Sequence, residues 1–200
     1  VPFLHVFAVL TLLKQICNHP ALVIGGSYKN ATSGKFELFK ELLDESLGSG
    51  HKIVVFSQYV EMIKIIENLL SDMDVKYAVL TGKTRNRGAV INRFQTDPEC
   101  KVFCGSLNAG GIGIDLTAAS VVIHFDRWWN ASKENQATDR VHRIGQHRNV
   151  QVLKLVTRDT LEERIDQLIK RKQALFEKFL DHDEEIFKSL SRGEIIELLG

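Results

Sequence analysis

Short runs of Val, Ile and Phe alternate along the chain with longer segments in which apolar residues recur every three or four positions. Lys52–Ser57 (KIVVFS), Lys76–Leu80 (KYAVL), Lys101–Gly105 (KVFCG), Val121–Phe125 (VVIHF) and Gln151–Val156 (QVLKLV) carry little polar alternation. Such runs predict strands buried on both faces. After the first of them, Tyr59–Leu70 sets Val60, Ile63, Ile66, Leu69 and Leu70 at helical spacing, and Arg87–Phe94 does the same with Val90, Ile91 and Phe94. Strands separated by helices pair in parallel through right-handed crossovers. The centre is therefore expected to be an α/β fold, a doubly wound, mainly parallel sheet with flanking helices.

Two further helical segments, Phe3–Cys17 and Lys35–Leu47, precede the first strand and are joined by the loop Gly25–Gly34. A long helix from about Thr160 to Leu180 follows the last strand, with Leu161, Ile165, Leu168, Ile169, Leu175, Phe176 and Phe179 as its apolar positions. An acidic turn, Asp181–Glu185, and a short helix ending at Leu199 complete the pattern. The organisation read from it is an N-terminal helical segment over 1–50, a core over 51–157, and a C-terminal helix and tail over 158–200.

The 200 residues are 44% hydrophobic and 26% charged, which excludes a disordered, collagen-like or disulfide-stapled chain. Twenty-six Lys and Arg against 25 Asp and Glu leave +1, so a nucleic-acid site, if there is one, must be local. Charge is in fact segregated: Val75–Thr96 holds five basic residues and no acid, whereas from Thr157 onward there are 11 acidic and 8 basic. Three scattered cysteines suggest a reducing, intracellular setting, and no apolar run approaches the roughly 18 to 20 residues of a membrane-spanning helix. The absence of an initiator Met suggests a fragment of a longer protein.

Gly82-Lys83-Thr84 sits between a strand and a helix, where a P-loop would lie, but the required glycine five residues earlier is Tyr77. Lys83, Arg85 and Arg87 read better as a loop facing a phosphate backbone, or as a solvated helix start. Ala109–Leu116 (AGGIGIDL) follows a buried strand, and its glycines allow close backbone approach to phosphate or simply a tight turn. Its G-G-x-G spacing is not a dinucleotide fingerprint, which argues against a Rossmann-type enzyme. In Gln136–Gln146 (QATDRVHRIGQ), a helix capped by Ser132 and running to about Arg143 would put Gln136, Arg140 and Arg143 on one stripe. Arginines held in register are solvated, paired with carboxylates, or directed at an anion. Trp128 and Trp129 beside Arg127 suit base stacking or packing, with packing favoured for at least one. Cys17-Asn18-His19-Pro20 has metal-ligand types but no second pair at ligand spacing, so no metal site is read. No nucleophile and base constellation is evident.

Taken in order, these stretches resemble the second RecA-like lobe of the SWI/SNF family of superfamily-two helicase-like ATPases. Leu12–Leu22 (LLKQICNHPAL) is similar to the family's opening helix, Ser33-Gly34-Lys35 to the start of the next, and Ile53–Tyr59 (IVVFSQY) to motif IV. Leu80–Phe94, with Gly82, Arg87 and Phe94 in place, resembles the motif that follows. Val102–Ala119 (VFCGSLNAGGIGIDLTAA) is similar to motif V, Asp126–Asn130 to the D-x-x-W-N segment, and Gln136–Gln146 to motif VI. Thr160-Leu161-Glu162-Glu163 resembles the start of the family's brace helix. Gly105 and Ser106 depart from the family's usual Ser and Thr, and Asp115 from its frequent Asn, so a DNA contact through a Thr at 105 is not available.

The resemblance implies a RecA-like lobe of an ATP-driven double-stranded DNA translocase or nucleoprotein remodeller. It implies that Arg140 and Arg143 reach the γ-phosphate, that Gln136, Gly111, Gly113 and Asp115 border the nucleotide, and that Lys83, Arg85, Arg87, Ser106, Asn108 and Trp129 lie on the DNA side. The Walker A and D-E-x-H motifs, which hold ATP phosphates and Mg²⁺, are expected on an N-terminal RecA-like lobe of the same protein. The chain alone is then expected to hydrolyse no ATP. A DNA-bound protein is a further partner, and no membrane is. The alternative is a catalytically inert DNA-binding or protein-interaction module. Compact motif spacing and the tail Leu190–Gly200 favour a bacterial cytoplasm or nucleoid, with the nucleus the expectation for a eukaryotic host.

Overall fold

The architecture is taken from a computed structural model that describes residues 3–25, 27, 29, 31–106 and 114–178, leaving aside the side chains at 3, 4, 6 and 172–178. Among the described residues seven helices and five strands follow one another: α1 (Phe3–Asn18), α2 (Ala21–Ile24), α3 (Gly34–Gly48), β1 (Ile53–Ser57), α4 (Val60–Asp72), β2 (Tyr77–Leu80), α5 (Arg87–Thr96), β3 (Val102–Ser106), β4 (Val121–His124), α6 (Ala131–Thr138), β5 (Gln151–Lys154) and α7 (Leu161–Lys178). The strands form one sheet in the order β2-β3-β1-β4-β5, and every pairing is parallel.

β1 lies at the centre, with Ile53 in register with both Val102 and Val121. Its alternating side chains feed two separate cores. Ile53 and Val55 join Phe36, Phe39 and Leu43 of α3 and the Ile and Leu face of α4. Val54 and Phe56 join Phe94 of α5, Ala137 of α6 and Val141 on the opposite face. Both faces of β1, β3 and β4 are dry, as their unbroken apolar runs predict, and each Val, Ile or Phe buried there contributes roughly 1.5–3 kcal/mol. A third cluster, Leu10 of α1 with Ala131, Leu161, Ile165 and Ile169, binds α7 to α1. Residues before β1 and after β5 thus pack onto the same lobe.

Local chemistry starts these helices where the sequence suggests. Ser33 Oγ accepts the Phe36 amide at the head of α3, and Asn86 Oδ1 accepts the Ala89 amide at the head of α5.

Two expectations are corrected. Two of the runs are not buried on both faces, because they lie at the sheet edges: in β5, with β4 as its one neighbour, Gln151, Val152 and Lys154 are exposed, and in β2, with β3 as its one neighbour, Tyr77 and Val79 are half-buried. The helix expected to run from a Ser132 cap to Arg143 is capped by Asn130, whose Oδ1 accepts the Ser132 amide at 2.9 Å, and it ends at Thr138. Gln136, Arg140 and Arg143 therefore do not share one helical stripe.

Candidate functional site

Past Thr138 the amides of Arg140 and Val141 turn back to the carbonyls of Ala137 and Thr138, at 3.3 and 2.9 Å, and the α-helical pattern gives way to tight turns. The Leu116 amide donates to Arg140 O at 2.9 Å. The Gln146 side-chain amide donates to Val141 O at 3.3 Å, and also to Thr117 O at 3.1 Å and Ala119 O at 2.8 Å. Residues 139–146 become a turn stitched to the segment that leads into β4. Gly145 closes it at φ 103°, a conformation that side chains with a Cβ rarely adopt. Gln146 is thus the organising residue of this turn, and the sequence marked it only as the end of a motif.

Arg140 and Arg143 project from the turn. Arg143 is exposed and Arg140 half-buried, with its Nε enclosed and without a hydrogen-bond partner among the described residues. Neither guanidinium is in an ion pair among the described residues. Ile144 between Arg143 and Gly145 is fully exposed. Facing the turn is Asp115. Its partial burial alone would raise its pKa, but the Thr117 amide at 3.0 Å, the Thr117 hydroxyl at 2.8 Å, the Gln95 amide and the positive charge of Arg143 outweigh that and hold the carboxyl below its ordinary range. Asp115 thus lies within electrostatic reach of Arg143, without an ion pair between them. Gln136 is exposed on α6, one turn before them.

The basic residues occupy a different place. Lys83, Arg85 and Arg87 are exposed on the loop after β2 and at the start of α5, beyond the carboxyl end of a parallel strand, where α/β sheets present their ligand-binding loops. Thr84 Oγ1 accepts the Thr81 amide at 3.0 Å and braces that loop. Arg93, the last basic residue of this stretch, is drawn towards Asp97 at 4.0 Å. Ser106 is buried at the end of β3, in register with Ser57. Asn108, Gly111 and Gly113 lie outside the described residues. Gly105 is held to glycine by packing: a Cβ there would stand 3.1 Å from the rings of both Phe103 and Phe56.

Trp129 is half-buried in the seam between α1 and α7, and the Lys14 ammonium lies 5.1 Å from its ring centre. That Lys14 is buried and donates to Arg127 O at 2.7 Å; burial pulls its pKa down to about 8 against the pull of Asp126, Glu162 and Glu134. His19 is a packing residue: its Nδ1 accepts the Ala21 amide at 3.2 Å and its ring meets the Phe36 ring edge-on.

Beneath the site lies a set of buried charges whose pairings no motif announced. Asp126 accepts from Ser57 Oγ and, at 3.1 Å, from the Gln58 amide. Lys35 of α3 pairs with Glu162 of α7, both fully enclosed. Arg127 pairs with Glu134 of α6 and, at 2.9 Å, with Asp166 of α7. Glu134 also accepts from Lys154 of β5 at 3.1 Å and from the Trp128 amide at 2.8 Å. Glu162 and Glu163 were legible as the start of a helix, Glu134 and Asp166 were not legible as partners. Among the described residues no group of three His, Cys, Asp or Glu side chains could hold a metal ion, and no helix is long and apolar enough to cross a membrane.

A family model described as the helicase conserved C-terminal domain matches residues 34–145. The chain is 38% identical over 198 residues to the uncharacterized ATP-dependent helicase MG018 of Mycoplasma genitalium, covering 98% of this chain and 19% of that protein. The chain spans between 10% and 21% of the length of the curated relatives it matches. Among solved structures, the Sulfolobus solfataricus SWI2/SNF2 ATPase C-terminal domain superposes with a TM-score of 0.73 at 38% identity, covering 96% of this chain and 80% of that one. The Sulfolobus solfataricus SWI2/SNF2 ATPase core in complex with dsDNA gives a TM-score of 0.77 at 41% identity, covering 96% of this chain and 41% of that one.

Proposed function

Because the chain belongs to the helicase conserved C-terminal domain family and is the C-terminal helicase lobe of a SWI2/SNF2-type ATPase, we propose that its arginine turn completes an ATP site whose other half lies on a first lobe. One observation carries this reading: Arg140 and Arg143 are held on a stitched turn, yet have no counter-charge in an ion pair among the described residues. Hydrolysis spreads negative charge over the oxygens of the transferring γ-phosphoryl group. A guanidinium already in place stabilises that charge without reorganising, an effect worth roughly 10³–10⁵ in rate. Asp115 sets a negative charge within electrostatic reach of Arg143, and Gln136 is exposed one turn before Arg140. The bare Ile144 beside Arg143 suits a surface that another lobe covers.

Mg²⁺ and the β- and γ-phosphates are held, on this reading, by the first lobe. Lys83, Arg85 and Arg87 grip the phosphates of double-stranded DNA without reading bases. Repeated closure of the two lobes over ATP moves the parent protein along the duplex and past or through DNA-bound proteins, inside the cell.

The isolated 200-residue chain tests the half-site directly. Assayed with ATP, Mg²⁺ and duplex DNA, it shows no turnover, while retaining a salt-dependent affinity for DNA of any sequence. DNA-stimulated hydrolysis by the isolated chain contradicts the proposal. Absence of any nucleotide response even after the first lobe is supplied favours an inert DNA-binding module instead.

A further inference from the structure

We infer that Glu134, Arg127 and Asp166 position the arginine turn, so that α7 sets the placement of Arg140 and Arg143; this rests on the reading of those arginines given above. α6 is eight residues, roughly 12 Å of helix at 1.5 Å per residue, and it is pinned at two points. Near its start the fully enclosed Glu134 holds Arg127, the Trp128 amide and Lys154. At its end Thr138 Oγ1 donates back to Glu134 O at 3.1 Å and meets His124 Nε2 at 3.0 Å. Arg140 follows two residues later. Because α6 is short and tied at both ends, a shift at Glu134 is carried to the turn as a rigid displacement.

α7 enters this cluster through one side chain. Asp166 reaches Arg127 at 2.9 Å while its other oxygen takes the exposed Lys170 at 2.7 Å. Arg127 is buried, so its charge needs both carboxylates: without Asp166 it depends on Glu134, which Lys154 already shares. Buried ion pairs of this kind add little net stability compared with apolar packing, but they fix geometry, and loss of one partner leaves an uncompensated charge. The contacts run without a gap from α7 through Asp166, Arg127 and Glu134 to α6 and the turn. Movement of α7 against the lobe therefore changes where the arginines stand.

The test uses the full-length parent with Asp166→Asn, which keeps the shape and removes the charge. A displacement of about 1 Å at reacting groups costs up to about 100-fold, so kcat for DNA-stimulated ATP hydrolysis should fall about 10- to 100-fold while the KM for ATP and the DNA affinity stay within about twofold. Amide hydrogen exchange should quicken across 131–146 and stay slow in β1 and β3. Asp166→Glu, which retains a carboxylate, should recover most of the rate. Combined with the double substitution Arg140→Ala and Arg143→Ala, Asp166→Asn should add no further loss, since it acts through those two side chains. Unchanged kcat in Asp166→Asn where Arg143→Ala does slow hydrolysis, or unchanged exchange over 131–146, overturns the proposal. So does faster exchange throughout β1 and β3 in both Asp166 variants, because the pair would then hold the lobe together and not position the turn. If 131–146 loosens but neither Asp166→Asn nor Arg143→Ala slows hydrolysis, the coupling is supported and the reading of the arginines is what fails.

Discussion

His124 should make this lobe acid-labile. It lies in β4 with no exposure, its ring stacked 5.6 Å from that of Phe56. Thr138 spends its one hydroxyl proton on Glu134 O, so towards His124 it can only accept, and His124 Nε2 must carry the proton. Nδ1 is then a bare lone pair with no partner among the described residues. Protonating it would bury a charge and an unmatched N–H beside Lys154 and Arg127. Burial first, then those two cations, lower the pKa from 6.5 to about 3. The folded-state pKa lies below the unfolded one, so between these values the unfolded chain binds the extra proton. Stability is therefore fully present above about pH 6.5 and is lost as the pH falls towards 3. At about 1.36 kcal/mol per pH unit, moving from pH 7 to pH 5 removes about 2 kcal/mol. That is a drop of about 1 M in urea midpoint for an m-value near 2 kcal/mol/M. The assay is urea unfolding at both pH values for the parent sequence and for His124→Phe, which keeps the stacked ring but cannot titrate. The difference between the two proteins should grow by about 2 kcal/mol in favour of His124→Phe as the pH falls. Parallel loss of stability in both would refute the reasoning.

Gly105→Ala should destabilise the lobe by about 1–3 kcal/mol in the same unfolding assay, because the new methyl can be seated only by moving two buried phenyl rings; a neutral effect would show that Phe56 and Phe103 yield freely. Replacing Lys83, Arg85 and Arg87 with Gln in the full-length parent should weaken duplex DNA binding equally for unrelated sequences. It should also reduce the slope of log affinity against log salt by about 0.9 for each phosphate that is no longer neutralised, and an unchanged slope would remove these residues from the DNA surface.

The sheet was legible because burying both faces of a central strand requires unbroken apolar runs, and Ile53–Phe56, Val102–Cys104 and Val121–Ile123 are such runs. β5 shares their composition but not their place: position at an edge depends on strand order, which composition does not encode. The arginine turn was half legible. Spacing of four and three residues allows a helix through Arg140 and Arg143, but past Thr138 the chain tightens into turns that the Leu116 amide and the Gln146 side chain fasten. The anchors at Leu116, Thr117 and Ala119 lie in another part of the fold and leave no trace in local periodicity. The same holds for Arg127, Glu134 and Asp166, each a charged residue whose partners lie in other segments. Gly105, a departure from the family pattern, acquires its reason only when Phe56 and Phe103 are seen to flank it.

The central claim is that this lobe contributes arginine charge to ATP hydrolysis performed between two lobes. The most direct measurement is DNA-stimulated ATP turnover of the full-length parent carrying Arg143→Ala, alongside its affinity for duplex DNA. The account predicts a fall in kcat of about 10³-fold or more with DNA affinity nearly unchanged. Equal loss of turnover and DNA binding would contradict it, and so would turnover that survives the substitution.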